Sequence, residues 1–318
     1  MIDFAFFLKT YSADYDRVGR LISSFHRYNE DDIHLFLACP EDEKSVFDVF
    51  SGEDVTVLSE ESICLDVFQE DSNFSKGYLN QEIYKISFWE LALCKNYMCI
   101  DSDALFIRPF YVHDFMYDSE IPYTILVEDN DLCADRYYNR QYWNGRREQL
   151  RKIQEELDFR PQHMLTCHGF QIFSSVVLCS FKNDFMEKKN YTYKDIIGIA
   201  PYEFSWYNFW LQKSCAIPIH VIEPLFKTIH LKQHHINYLL SGMKLDDWAK
   251  AYIGVVVNSN YGIGDGKYDD LKVYNYTNSD ITDDVIDLNY RFYKKLRYER
   301  VITKVCRLLE RIVRRLMR

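Results

Sequence analysis

The feature that most constrains this fold is the alternation in the first sixty residues. Residues 4–8 form a short apolar run, and 17–28 then carry Val18, Leu21, Ile22 and Phe25 at helical spacing. A second apolar run, 33–38, closes on Cys39-Pro40; 41–50 reads as a helix and 55–58 as a third apolar run. Strand, helix, strand, helix, strand predicts an α/β domain that opens on a parallel sheet. Such sheets bind ligands outside the carboxyl ends of their strands. The loop after the first run, with Lys9, Thr10 and Tyr11, is therefore a candidate nucleotide contact by position.

The spacing then predicts a helix over 77–96, with Leu79, Ile83, Ile86, Trp89 or Glu90, and Leu93 on its buried stripe. It delivers the chain into a short strand, 97–100, ending at Asp101-Ser102-Asp103. Further on come a strand at 124–127, an acidic turn at 128–131, a basic helix at 142–157 and an apolar run at 170–178 entered through His168-Gly169. Helices near 194–199 and after 201–207, and strands at 218–222 and 228–231, complete the pattern, with no internal repeat.

With 47% hydrophobic residues, 7 Pro and 11 Gly in 318 residues, no flexible linker divides the chain, so 1–290 is expected to form one unit. Nine cysteines, with no CxxC pair, read as reduced core residues. The apolar start lacks a basic n-region and meets Lys9 too soon for a signal peptide or a span, so a cytoplasmic protein is expected. A net charge of −10 argues against a nucleic-acid partner. That total hides an asymmetry: residues 291–318 carry +9 and the other 290 carry −19. Val301, Val305, Leu308, Ile312 and Leu316 recur there at helical spacing among basic residues, the pattern of a helix lying on an anionic membrane surface. An oligomerisation helix, or one packed on the acidic body, has the same pattern.

Asp101 and Asp103 flank a small residue after an apolar strand, and in extended backbone residues two apart project the same way. Two hard oxygen ligands suit Mg²⁺ or Mn²⁺ on a nucleotide diphosphate, although an isolated D-x-D is more often a solvated turn. Glu203 lies among Tyr202, Phe204, Trp206 and Tyr207, where it could serve as a base for, or a holder of, an acceptor hydroxyl; the plain alternative is a helix N-terminal Glu. Gly169, after His168, leaves room for a ligand to approach the backbone, or simply tightens a strand entry. Of the acidic turn, Asp129 is kept as a catalytic candidate. Gly262-Ile-Gly-Asp-Gly266 lacks the Lys-Ser/Thr of a phosphate loop and reads as a turn.

The run Tyr97-Met-Cys-Ile-Asp-Ser-Asp-Ala-Leu-Phe-Ile-Arg-Pro-Phe110, after a helix bearing Lys85, resembles the GT-A glycosyltransferases, especially bacterial enzymes that build capsule, O-antigen or lipopolysaccharide glycans. The blocks 167–174, 201–207 and 224–230 extend the likeness. The resemblance implies a Rossmann-like mixed sheet flanked by helices. It implies a nucleoside diphosphate sugar donor, a UDP-sugar, held by Lys9, Thr10, Tyr11, Lys85, Asp101, Ser102, Asp103, His168 and Gly169. It also implies Mn²⁺ or Mg²⁺ on Asp101, Asp103 and a late histidine, His230, for which a core or surface imidazole is the alternative. The acceptor would be a glycan, lipid-linked and met at the inner face of the plasma membrane. Two other functions fit the pattern: a sugar nucleotidyltransferase, disfavoured because 8–17 has no Gly, and a non-catalytic carbohydrate-binding or scaffold protein on the membrane.

Overall fold

A computed structural model describes residues 1–134, 139, 143–164, 170–230, 243–257, 301–302, 304–306, 308–309 and 312. Strands β1 (Ile2–Lys9), β2 (His34–Cys39), β3 (Val55–Ser59) and β4 (Cys94–Ile100) are parallel. With β7 (Gln171–Ser174) antiparallel to β4, they form a sheet of order β3-β2-β1-β4-β7. The fold is thus a mixed sheet flanked by helices. Alternation along β1 explains the layering: Ala5 and Phe7 join one core and Phe4, Phe6 and Leu8 the other. The second core lies under helix α1 (Tyr15–Tyr28), whose Val18, Leu21, Ile22 and Phe25 are buried as their spacing predicts. The first lies under α2 (Lys76–Ser87), α3 (Asn144–Leu157), α4 (Ser175–Phe181), α5 (Tyr193–Ile199) and α6 (Glu203–Ser214).

Beyond β4 the chain turns into β5 (Ala104–Phe106). This strand pairs antiparallel with β10 (Gly254–Val257), which pairs parallel with β9 (Phe226–Ile229). A two-strand pair, β6 (Thr124–Ile125) with β8 (Val221–Ile222), completes the strands among the described residues. Phe106 and Phe110 are fully buried and stack on each other, edge-on to Phe6. These aromatic positions of the sequence motif are core packers.

Several elements differ from their sequence patterns. The helix predicted over 77–96 ends at Ser87; a 3-10 turn, Phe88–Leu91, follows and Ala92 turns left-handed at φ 53°, so that Leu93 can receive the Ile2 amide and β4 can begin. The run 41–50 folds as three short helical turns, Glu41–Glu43, Lys44–Phe47 and Asp48–Phe50, because Phe47 is its one buried anchor. The run 170–178 is strand only to Ser174, then helix. Tyr207 Oη accepts from the Ser174 amide and Ser175 donates to the Cys94 carbonyl at that junction. Cys215 and Cys306 are exposed, so the cysteines are not all core residues, and no disulfide links the described ones.

No helix among the described residues is long and apolar enough to cross a membrane. Near the C-terminus the described residues between 301 and 312 are helical, and Val301, Ile302, Val305, Leu308, Leu309 and Ile312 all face solvent.

Among the described glycines the tightest surroundings are at Gly254. A Cβ there would stand 2.1 Å from Phe226 Cε1 and 2.7 Å from the Leu105 carbonyl oxygen, one neighbour on each flanking strand. Gly254→Val is expected to cost about 3 kcal/mol or more by overpacking, read as a lowered melting temperature in calorimetry. Gly77→Ala, with nothing within 4 Å of the added methyl, is expected to leave it unchanged or slightly raised.

Candidate functional site

The site follows from the β1–β4 register. Leu8 pairs with Ile100, so the chain leaves both strands at the same edge of the sheet, putting Lys9-Thr10 beside Asp101-Ser102. Here the D-S-D segment departs from the expected extended pair. β4 ends at Ile100, and the Ala104 amide donates to the Asp101 carbonyl at 3.0 Å, closing a turn that sends the chain into β5. Asp101 and Asp103 are therefore presented by a turn and not by the two-residue alternation of a strand. Ser102 faces the α1 side, where its Oγ donates to Asp14 Oδ2 at 2.9 Å.

Asp101 faces the helices of the first core. Its Oδ1 accepts from Gln81 Nε2 at 3.3 Å and stands 3.0 Å from Lys85 Nζ, while its side chain stays 38% exposed. Lys85 Nζ is also 3.5 Å from Glu203 Oε1 and 5.2 Å from the centre of the Phe204 ring. Glu203 opens α6, and both it and Lys85 are buried. The Tyr97 hydroxyl donates to the Lys85 carbonyl at 2.7 Å, fastening α2 to β4. Burial alone would lower the lysine's pKa, but Asp101, Glu82 and Glu203 together push it well above the usual lysine range.

Glu82, which the sequence pattern passes over, completes this cluster one helical turn before Lys85. It is buried, and its Oε2 has no hydrogen-bond partner among the described residues. Burial first, then the nearby Glu203 charge, push its carboxyl well above the usual range, and a hydrogen bond with Glu203 favours the protonated form. The signal available in the sequence was Gln81, Glu82 and Lys85 recurring beside the apolar stripe of one helix.

The first loop shares its candidate roles unevenly. Lys9 is tied to Glu60, Nζ to Oε2 at 3.1 Å, and Thr10 is buried with its amide on the Ala38 carbonyl. Tyr11 presents a half-exposed ring, with the Lys9 ammonium 5.8 Å from its centre. On the far side Asp129, left-handed at φ 49°, lies 3.8 Å from His230, Oδ2 to Nε2. The Val257 amide donates to the Asp103 carbonyl, and Val257 pairs with Ile229, so Asp103 and His230 share one end of the small sheet. Their backbones stand two strand spacings apart there, roughly 10 Å. Among the described residues no three His, Cys, Asp or Glu side chains form a metal-holding group, so Asp101, Asp103 and His230 are not assembled as one. His168, Gly169 and 262–266 lie outside the described residues.

Backbone strain marks the same edge. β7 runs antiparallel to β4 with Gln171 opposite Cys99, which sets Phe170 beside the end of β4, and Phe170 is left-handed at φ 63°. A bulky residue there is a genuine outlier, and such strain concentrates at functional sites.

A family's sequence profile matches residues 4–168, just over half of the chain. The chain belongs to DUF6492, a family of unknown function. The match runs from β1 through the D-S-D turn and α3 and stops at the strand entry. No protein of curated function matches the sequence. Among solved structures, this DUF6492 member is similar to apo mouse xyloside xylosyltransferase 1, with 10% identity and a TM-score of 0.46, over 82% of this chain and 99% of that one. It is likewise similar to the apo bifunctional glycosyltransferase WbbM, with 12% identity and a TM-score of 0.46, over 81% of this chain and 46% of that one.

The Glu82 environment fixes a pH dependence. A carboxyl whose folded-state pKa is raised contributes stability fully present below the unfolded value, and loses it as pH rises toward the folded one. Relative to Glu82→Gln, the wild type is therefore expected to lose stability as pH climbs above the ordinary glutamate value of 4.5. Urea titrations of the two proteins across pH 4–8 give the comparison; parallel curves would place Glu82 in an unperturbed setting.

Proposed function

We propose that this chain is a glycosyltransferase that moves a sugar from a nucleoside diphosphate sugar to a hydroxyl of a glycan acceptor. The observation that carries this reading is the Asp101-Ser102-Asp103 turn at the carboxyl end of a central strand, beside the loop that follows β1. That edge is where open α/β sheets bind ligands.

Mn²⁺ or Mg²⁺ fits the donor set. These cations commonly use one or two protein carboxylates and take further oxygens from substrate phosphates, so a three-residue cage is not required. Asp101, half-exposed, and Asp103 would hold the ion, and bound there it would offset charge on the departing diphosphate. His230, with Asp129 3.8 Å from its ring, would stand at the rim of this site. The exposed face of Tyr11 would lie against the nucleotide, a UDP-sugar in this reading. Glu203 is enclosed by Lys85 and Glu82, so its part is to shape the charge at the sugar-binding edge.

Addition of Mn²⁺ with UDP is expected to raise the melting temperature more than either alone, by the linkage of binding to stability. Asp101→Ala and Asp103→Ala are each expected to abolish that coupled rise and any transfer to acceptor, while leaving the metal-free protein folded. Normal sugar transfer by both variants would falsify the reading.

The basic C-terminal helix belongs to the same proposal as the element that brings a lipid-linked acceptor to the enzyme at the inner face of the plasma membrane. Its solvent-facing Val301, Val305, Leu308 and Ile312 among basic residues support that role. Each basic residue near an anionic surface contributes about 1 kcal/mol. Truncation after Tyr290 is expected to release the protein from phosphatidylglycerol vesicles while preserving transfer to a soluble acceptor. Retained vesicle binding by the truncated chain would remove the membrane role.

A further inference from the structure

We infer that Lys85 is a positioning residue: an internal counter-ion that fixes Asp101, and not a contact to the donor diphosphate. The inference rests on the transferase reading above and changes the part assigned to the basic residue of the helix before the D-S-D turn. Its side chain is 4% exposed, and its ammonium is already engaged by Asp101 Oδ1 at 3.0 Å and Glu203 Oε1 at 3.5 Å, with the Phe204 ring beyond. Glu82, on the same helix, adds a third carboxyl group to the surroundings. One ammonium among three carboxyl groups carries no surplus positive charge to offer a phosphate. An anion reaching it would first have to displace the Asp101 or the Glu203 carboxylate.

What Lys85 does instead is visible at Asp101. Lys85 Nζ and Gln81 Nε2 both meet the same oxygen, Oδ1, at 3.0 and 3.3 Å. The carboxylate is thereby held at one oxygen by two donors while its side chain remains 38% exposed. Gln81 and Lys85 are four residues apart on α2, one turn of helix, so the two donors act from one rigid element. A carboxylate held in this way through one oxygen keeps its orientation before the cation arrives, which is the service that outer partners perform for metal-ligating carboxylates.

The test is calorimetric titration of UDP, with and without Mn²⁺, into wild type, Lys85→Met, Gln81→Ala, Asp101→Asn and the Lys85→Met/Asp101→Asn pair. A positioning role predicts that Lys85→Met binds UDP without metal within about twofold of wild type and loses about tenfold of the Mn²⁺-dependent gain, a coupling of the size neighbouring residues show. Gln81→Ala, which leaves the buried charges intact and guards against a Lys85→Met chain that fails to fold, shifts the same gain in the same direction. In the Asp101→Asn background Lys85→Met causes no further loss. Weaker metal-free UDP binding by folded Lys85→Met, or an undiminished Mn²⁺-dependent gain in Gln81→Ala, overturns the inference and leaves the transferase reading standing. A wild type with no Mn²⁺-linked binding of UDP, or of GDP titrated in the same way, removes that reading, and the inference with it.

Discussion

The parallel pairing of β1 with β4 is the constraint on which the rest of the site depends. Because Ala5 pairs with Tyr97 and Leu8 with Ile100, two segments ninety residues apart leave the sheet side by side. Ser102 can then donate to Asp14 at the head of α1, and Asp101 can reach α2 on the opposite layer. The same register decides where β5 starts, and β5 in turn carries β10 and β9, whose end holds His230. A slip of one residue along β4 would exchange its two buried faces, moving Tyr97 and Cys99 out of the first core and Met98 and Ile100 out of the second. Both faces of β4 are packed, so the sheet has little freedom to make that error.

The sequence made the first layer of this legible and the second hardly at all. Strands β1 to β4 announce themselves as short apolar runs, and α1 by apolar residues at a period of 3.6, and such patterns are local properties. The edge at which open α/β sheets bind ligands also follows, since topology fixes it once the strands are ordered. Hidden from such reading were β5 and β10, of three and four residues, whose existence depends on pairing with each other and on the close passage at Gly254. Glu82 was hidden for a related reason. Its place on α2 is ordinary for an exposed glutamate, and only the packing of α6 against that helix buries it and sets Glu203 beside it. The two aspartates illustrate the converse: their spacing suggested a strand pair, whereas the chain needed a turn there to leave the main sheet for the smaller one.

The distribution of buried charge says why this edge is more than a packing solution. A fold that needed only stability could fill the space between α2, α6 and β4 with apolar side chains, which often serve as well as or better than buried ion pairs. This chain places an ammonium and carboxyl groups there, and one of the glutamates is kept toward its neutral form by its surroundings. Among the described residues Glu82, Lys85 and Glu203 are the buried charged side chains, and the other buried polar ones, such as Ser205 and Asn208, are neutral. The polar cluster is thus local, and it lies where β4 ends and the backbone of Phe170 is strained. Perturbed titration, strained backbone and a carboxylate held half in solvent coincide at the carboxyl edge of one sheet. Their coincidence is what supports reading this edge as the candidate site, one preorganised around charge. In the proposed transferase Asp101, held from within and 38% exposed, is the residue through which that interior charge would meet the donor.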